Sequence, residues 1–187
     1  MMASAARLLS CREMDCTEKI IELFSSDASA LHFGEPVSLR EHSLQTALQA
    51  KSDGASDELV VGALLHDVGH LIGGSDTPHE EEGSRWLSSY FGPHVTEPVR
   101  LHVAAKRYLF TVDPEYRRIL SPASAVSLDQ QGSLLSPEEL REFEKNPFHA
   151  DAIKLRFWDD RAKVPGLTAP GLESYAAALR RVWMHAL

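Results

Sequence analysis

Leu64-Leu65-His66-Asp67-Val68-Gly69-His70 decides the reading of this chain. An apolar run, Leu59–Leu65, stops abruptly at a histidine and an aspartate and is followed by a glycine. Such a run fits a buried central helix. A histidine and a charged carboxylate placed directly behind Val60, Val61, Leu64 and Leu65 are costly to bury unless something compensates them. A divalent metal ion does so, and a carboxylate can bridge two ions, which suits Asp67 to a shared position.

Working outward, helix signals recur and period-two alternation is almost absent. Ser38-Leu39-Arg40-Glu41 is a capping box, opening a helix with Leu44, Ala47 and Leu48 on one face. Ser56 or Asp57 caps the helix that ends at His66. Pro78 marks another start, followed by Glu80, Glu81 and Glu82, acids placed where the helix dipole favours them. Thr96 is expected to cap the next helix, and Ser136-Pro137-Glu138-Glu139 opens a further one. Ala150–Trp158 and Leu172–Met184 read as the last two. Gly73-Gly74-Ser75-Asp76 and the stretch from Lys163 to Gly171 read as loops. The expected architecture is an all-α compact helical bundle forming a single domain over 1–187.

Six of the nine histidines fall between His42 and His102. His42 lies on the helix before the decisive stretch, His79 opens the one after it, and His102 lies on the fourth. Asp159 ends Leu155-Arg156-Phe157-Trp158-Asp159 on a late helix. Ligands spread over several inward-facing helices are one way to build a dinuclear carboxylate/imidazole centre. The candidate ligands are therefore His42, His66, Asp67, His79, His102 and Asp159. His94, His149 and His185 lack such placement and read as surface residues. His70, one turn beyond His66, reads as a substrate contact.

Two cations flank this set. Lys106 lies four residues after His102, and Arg156 three before Asp159, so each shares a helix face with a candidate ligand. Together they describe a pocket for a small oxyanion, for which the paired donors of Arg are suited. The alternative is a pair of surface cations that snorkel outward from the bundle.

Composition narrows the classes. A net charge of -8 argues against a nucleic-acid surface. The two cysteines, Cys11 and Cys16, form neither a disulfide framework nor a zinc knuckle and fit a reducing compartment. No apolar run is long enough to span a membrane, and Met1–Ser10 lacks a signal-peptide layout. The expected location is cytoplasmic.

The ordered set His, His-Asp, distant Asp resembles the HD-domain superfamily, most of whose members are phosphohydrolases. His79 and His102 bring the resemblance closer to the mixed-valent diiron oxygenases, the branch that includes myo-inositol oxygenase and the phosphonate-cleaving oxygenases. Strings similar to the phosphonate-cleaving group are Gly34-Glu35, Glu41-His42-Ser43-Leu44-Gln45, and Ala63–His70. Others are His79-Glu80, His102-Val103-Ala104-Ala105-Lys106-Arg107-Tyr108-Leu109, and Lys154–Asp159. The match runs from about Leu31 to Gly171, most of the chain. The resemblance implies two iron ions, a mixed-valent Fe(II)/Fe(III) pair, with dioxygen as co-substrate. One iron would be held by His42, His66, Asp67 and Asp159, the other by Asp67, His79 and His102.

By the same resemblance Lys106, Arg156, His70 and Ser124 (or Ser127) hold a substrate phosphonate, and Glu35 lies near the substrate's amino end. His32 stands where a relative carries a tyrosine that ligates iron. The implied reaction uses dioxygen to cleave the carbon–phosphorus bond of a 1-hydroxyphosphonate bearing a 2-amino or 2-trimethylammonio group. Phosphate and glycine or glycine betaine are the products. Phe33, Trp86, Tyr90, Tyr108 and Trp158 are the aromatic candidates for a trimethylammonium. The competing function is a metal-dependent HD phosphohydrolase acting on a nucleotide or small phosphate ester, in which the metals activate water. The oligomeric state is not legible.

Overall fold

A computed structural model describes residues 16–73 and 77–184. Cys11, the Met1–Ser10 opening, most of the Gly73–Asp76 loop and His185 lie outside the described residues, as does the side chain of Cys16. The described residues form helices α1 (Cys16–Phe24), α2 (Leu39–Ser52), α3 (Asp57–Leu65), α4 (Gly69–Ile72) and α5 (His79–Leu87). Next come α6 (Pro93–Val112), α7 (Pro122–Gln130), α8 (Pro137–Lys145), α9 (His149–Arg161) and α10 (Ala176–Val182), with three short 3₁₀ turns between them. Among the described residues there is no strand; one isolated bridge joins Phe91 to Trp183. No helix among them is long and apolar enough to cross a membrane.

Helix α3 is the axle of the bundle. Every residue from Leu59 to Leu65 is buried, and the helix packs against α2, α6, α9 and α10. Burial of so continuous an apolar run contributes roughly 1.5–3 kcal/mol for each large aliphatic side chain. Ser56 caps it, accepting from Leu59 N at 3.4 Å. The longest helix, α6, lies along α9 and α5.

The capping boxes at Ser38/Glu41 and Ser136/Glu139 are both formed. Thr96 is not a cap. Helix α6 starts at Pro93 after Gly92, two residues are already coiled before the buried Val95 and Thr96, and the Thr96 carbonyl accepts from Ser84 Oγ at 3.0 Å. Proline at the first helical position costs no donor, so the earlier start is available. The expected Leu172–Met184 helix is split into a 3₁₀ turn, Leu172–Tyr175, and the shorter α10. Helices α1, α4 and α7 are not among those expected from the sequence, although Ser121-Pro122 opens α7 with the same cap-then-proline pattern as Ser136-Pro137.

One close approach sets the site. Helix α3 ends at Leu65, His66 and Asp67 form a tight turn, and α4 restarts at Gly69. There α4 meets the start of α5: a β-carbon on Gly69 would stand 1.9 Å from the His79 carbonyl oxygen. Only glycine permits this crossing, and the crossing carries His79 to Asp67.

Candidate metal centre

His42 reaches from α2 to α9, donating Nδ1–H to the Ala162 carbonyl at 2.8 Å. His66, wholly buried, gives its Nδ1–H to the Ala63 carbonyl at 2.9 Å, and His102 gives its own to Val99 at 2.7 Å. A carbonyl accepts only from a protonated nitrogen, so in the neutral ring each Nε2 carries a lone pair turned inward. His79 is oriented by Glu80, whose Oε2 lies 3.3 Å from Nδ1.

These lone pairs converge. The Nε2 atoms of His42 and His66 are 3.2 Å apart, and so are those of His79 and His102. Two lone pairs face to face at that distance repel unless a cation lies between them. Asp67 supplies an oxygen to each couple. Its Oδ2 is 3.2 Å from His66 and 3.6 Å from His42, while Oδ1 is 3.4 Å from His79 and 3.7 Å from His102. Asp159 Oδ1 closes the first set at 3.2 Å from His42. The ligand atoms of His42, His66 and Asp67 lie within 4.8 Å of one another, as do those of Asp67, His79 and His102. Imidazole and carboxylate donors in two sets sharing one carboxylate fit a pair of divalent or trivalent first-row ions.

The charges agree with that use. Burial opposes ionisation of Asp67, yet His66 and His79 beside it hold the carboxyl well below the usual range. Burial likewise opposes Asp159, which Arg156, Lys163 and His42 hold far down. Burial, followed by His79 and His66, drives His102 well below the ordinary imidazole value, so it stays neutral and able to ligate. Burial opposes protonation of His66, whose pKa Asp67 and Asp159 raise, so two anions and the neutral His102 face one volume.

That volume floors a cavity of about 350 Å³. Lys106 and Arg156 both line it, and each is only 3% exposed, which excludes the snorkelling alternative. Lys106 donates to Ser127 Oγ at 2.8 Å, and burial followed by the nearby Arg156 lowers it to about 8. Arg156 is committed to protein partners. Nη1 donates to Asp159 at 2.6 Å, Nη2 to Asp160, and Nε to the Tyr116 hydroxyl at 3.0 Å, while that hydroxyl donates to Asp160 at 2.5 Å. Two carboxylates outweigh burial and keep its guanidinium firmly charged.

Ser124 and Ser127 both face the cavity, and they divide the lysines between them. Lys163 is the residue the sequence reading missed. It extends into the cavity, donating to Ser124 Oγ at 2.5 Å, with Glu35 Oε1 at 3.0 Å and Asp159 Oδ1 at 3.4 Å. Its position one helical turn after Asp159 was the available signal, hidden because α9 ends at Arg161. Glu35 accepts from Ser121 Oγ at 2.7 Å as well.

At the mouth, Phe33 stacks on His70 at 4.8 Å between centroids, and His70 stacks on His79 at 4.1 Å. Phe33 and Gly34 both adopt positive φ, 45° and 80°, in a turn closed by Glu35 N donating to the His32 carbonyl at 2.7 Å. For Phe33 that conformation costs on the order of 1 kcal/mol. Burial holds His70 below its ordinary value, so its ring is neutral at the cavity wall. His32 lines the mouth with Nδ1 3.3 Å from the Glu35 carbonyl and belongs to neither ligand set. Of the aromatic candidates only Phe33 lines the cavity. Trp86, Tyr90 and Trp158 pack in or against the main core, and Tyr108 packs on Phe143.

Comparison with known proteins agrees with the fold and the chemistry. The HD domain family model matches residues 39–128. The chain is 43% identical over 170 residues to a hydroxymethylphosphonate dioxygenase of Gimesia maris, covering 84% of this chain and 85% of the relative. It is 39% identical over 169 residues to a 1-hydroxy-2-(trimethylamino)ethylphosphonate dioxygenase (glycine-betaine-forming) of Leisingera caerulea, covering 86% of each. The chain belongs to the HD-domain dioxygenase family of these relatives.

Proposed function

We propose that this chain uses dioxygen to cleave the carbon–phosphorus bond of a small 1-hydroxyphosphonate at a diiron centre. One molecule of dioxygen is consumed for each phosphate released, and carbon 1 leaves as a carboxylate. The observation that carries the reading is the pair of His–His couples sharing Asp67 on the floor of a cavity whose wall bears buried cations. The names of both relatives, each a phosphonate dioxygenase, support it.

In this reading His42, His66, Asp67 and Asp159 hold one iron, and Asp67, His79 and His102 hold the other, as a mixed-valent Fe(II)/Fe(III) pair. When bound, the two ions supply dioxygen activation and the redox chemistry. The protein's part is binding, orientation and charge. Lys106, with Ser127 and Ser124, faces the phosphonate, where an ammonium and hydroxyl donors neutralise and orient its oxygens. Arg156 acts through Asp159: its guanidinium fixes the carboxylate's direction and holds it ionised. Neutral His70 supplies a hydrogen-bonding edge beside the substrate, and Phe33 stacked on it restricts water at the mouth. The resemblance offers a 2-amino or 2-trimethylammonio group on the substrate; the polar groups around Glu35 bear on that choice.

The test is aerobic incubation of iron-loaded, ascorbate-reduced protein with a 1-hydroxyphosphonate, following phosphorus NMR and dissolved oxygen together. Phosphate appearing with equal oxygen uptake is expected. Hydrolysis of a phosphate-ester panel with manganese, without oxygen uptake, would overturn the oxygenase in favour of a phosphohydrolase.

A further inference from the structure

Beyond the metal ligands and Lys106, the cavity contains one arrangement that the proposed chemistry does not require. Lys163 and Glu35 form an ion pair inside it, with side chains only 10% and 15% exposed. Glu35 Oε1 takes the ammonium at 3.0 Å, Ser121 Oγ at 2.7 Å and Ser124 Oγ at 3.4 Å. The other oxygen, Oε2, is buried with no hydrogen-bond partner and out of reach of solvent in the cavity. The protein's own ammonium therefore already occupies Oε1, and Oε2 is shielded from the cavity.

The lysine is held where it is. Gln45 clamps the segment that follows it, donating to the Val164 and Leu167 carbonyls at 2.9 and 3.3 Å and accepting from Val164 N at 3.0 Å. An ammonium brought into this end of the cavity would meet Lys163 at close range in a partly desolvated site, and like charges so placed are strongly discriminated against.

We propose that Lys163 is a specificity-determining residue: it occupies, from within the protein, the place a positively charged substrate group would take beside Glu35. The enzyme then prefers 1-hydroxyphosphonates without a cation on carbon 2, with hydroxymethylphosphonate the simplest. This inference rests on the phosphonate-oxygenase reading above.

The experiment compares hydroxymethylphosphonate with 2-amino-1-hydroxyethylphosphonate, by kcat/KM on the iron-loaded enzyme and by anaerobic calorimetric binding. Wild type should favour the uncharged compound by at least about tenfold, and Lys163→Met should move that ratio at least about tenfold toward the amino compound. Lys163→Arg should keep the wild-type ratio, and Glu35→Gln should keep or strengthen the preference for the uncharged compound. A wild type that prefers the amino compound overturns the inference, and so does an unchanged ratio in Lys163→Met. If Lys163→Met does not fold, the double variant Glu35→Gln/Lys163→Met, which removes both charges, decides it: a ratio intermediate between wild type and parity supports the role, and a wild-type ratio overturns it. Phosphate release from neither compound counts against the oxygenase reading alone, because the calorimetric ratio still tests Lys163.

Discussion

At the scale of single residues, environment decides role. Lys106 and Lys163 stand in one cavity, yet burial and Arg156 lower the first to about 8 while Asp159 and Glu35 raise the second. Lys106 carries its proton below that value and loses it as pH rises through it, and with it the attraction for a phosphonate. We expect kcat/KM to fall above about pH 8 and Lys106→Met to abolish that limb along with most of the activity; a wild-type profile still flat to pH 9 would remove Lys106 from the binding step. Glu80 is a residue-scale case of the opposite kind, since it reaches the far nitrogen of His79. Glu80→Gln should weaken retention of the second ion by about tenfold or more, read by competition with a chromogenic chelator. His66 and Asp67 stand out in the sequence because they end a buried apolar helix, where a polar group needs a reason, and His42, His79, His102 and Asp159 stand out by their order along successive helices. Lys163 was not legible: its partner Glu35 lies near the other end of the chain, and only folding brings the two together.

The elements show which local signals are sufficient. Ser38, Ser56 and Ser136 begin their helices where a capping side chain satisfies otherwise free amide groups, so those starts could be read directly. Helix α6 could not be read from Thr96, since proline in the first turn is as good a start as a hydroxyl cap and burial of Thr96 overrode its capping preference. The short α4 gives almost no periodic signal, yet it places the site, because its first residue must let α5 approach. Gly69→Ala would force a β-carbon within 1.9 Å of the His79 carbonyl. We expect a loss of roughly 3 kcal/mol or more, seen as a lowered Tm, together with loss of metal at the His79–His102 set. Full stability and metal content in that variant would show that α4 and α5 can separate at no cost to the centre.

For the whole molecule, the centre is a fastener as well as a reagent. Helices α2, α5, α6 and α9 meet through His42, His79, His102 and Asp159, and the turn between α3 and α4 supplies His66 and Asp67. An ion that binds only the folded arrangement stabilises it by mass action, by about 2.7 kcal/mol at a hundredfold excess over the dissociation constant. Removal with EDTA should lower Tm by several degrees, and re-addition of ferrous iron should restore it; an unchanged midpoint would mean that the apolar core around α3 alone sets stability.

The sharing of Asp67 is lopsided in its surroundings. One side has a second carboxylate, Asp159, and the other has imidazoles alone. The side with the second carboxylate is expected to capture an ion first, and the charge it brings would then repel a newcomer across the common carboxylate. Loading is therefore expected to be sequential, with one resident ion and one exchangeable one. A preparation starved of iron would accumulate a half-filled species of defined occupancy, not a random mixture.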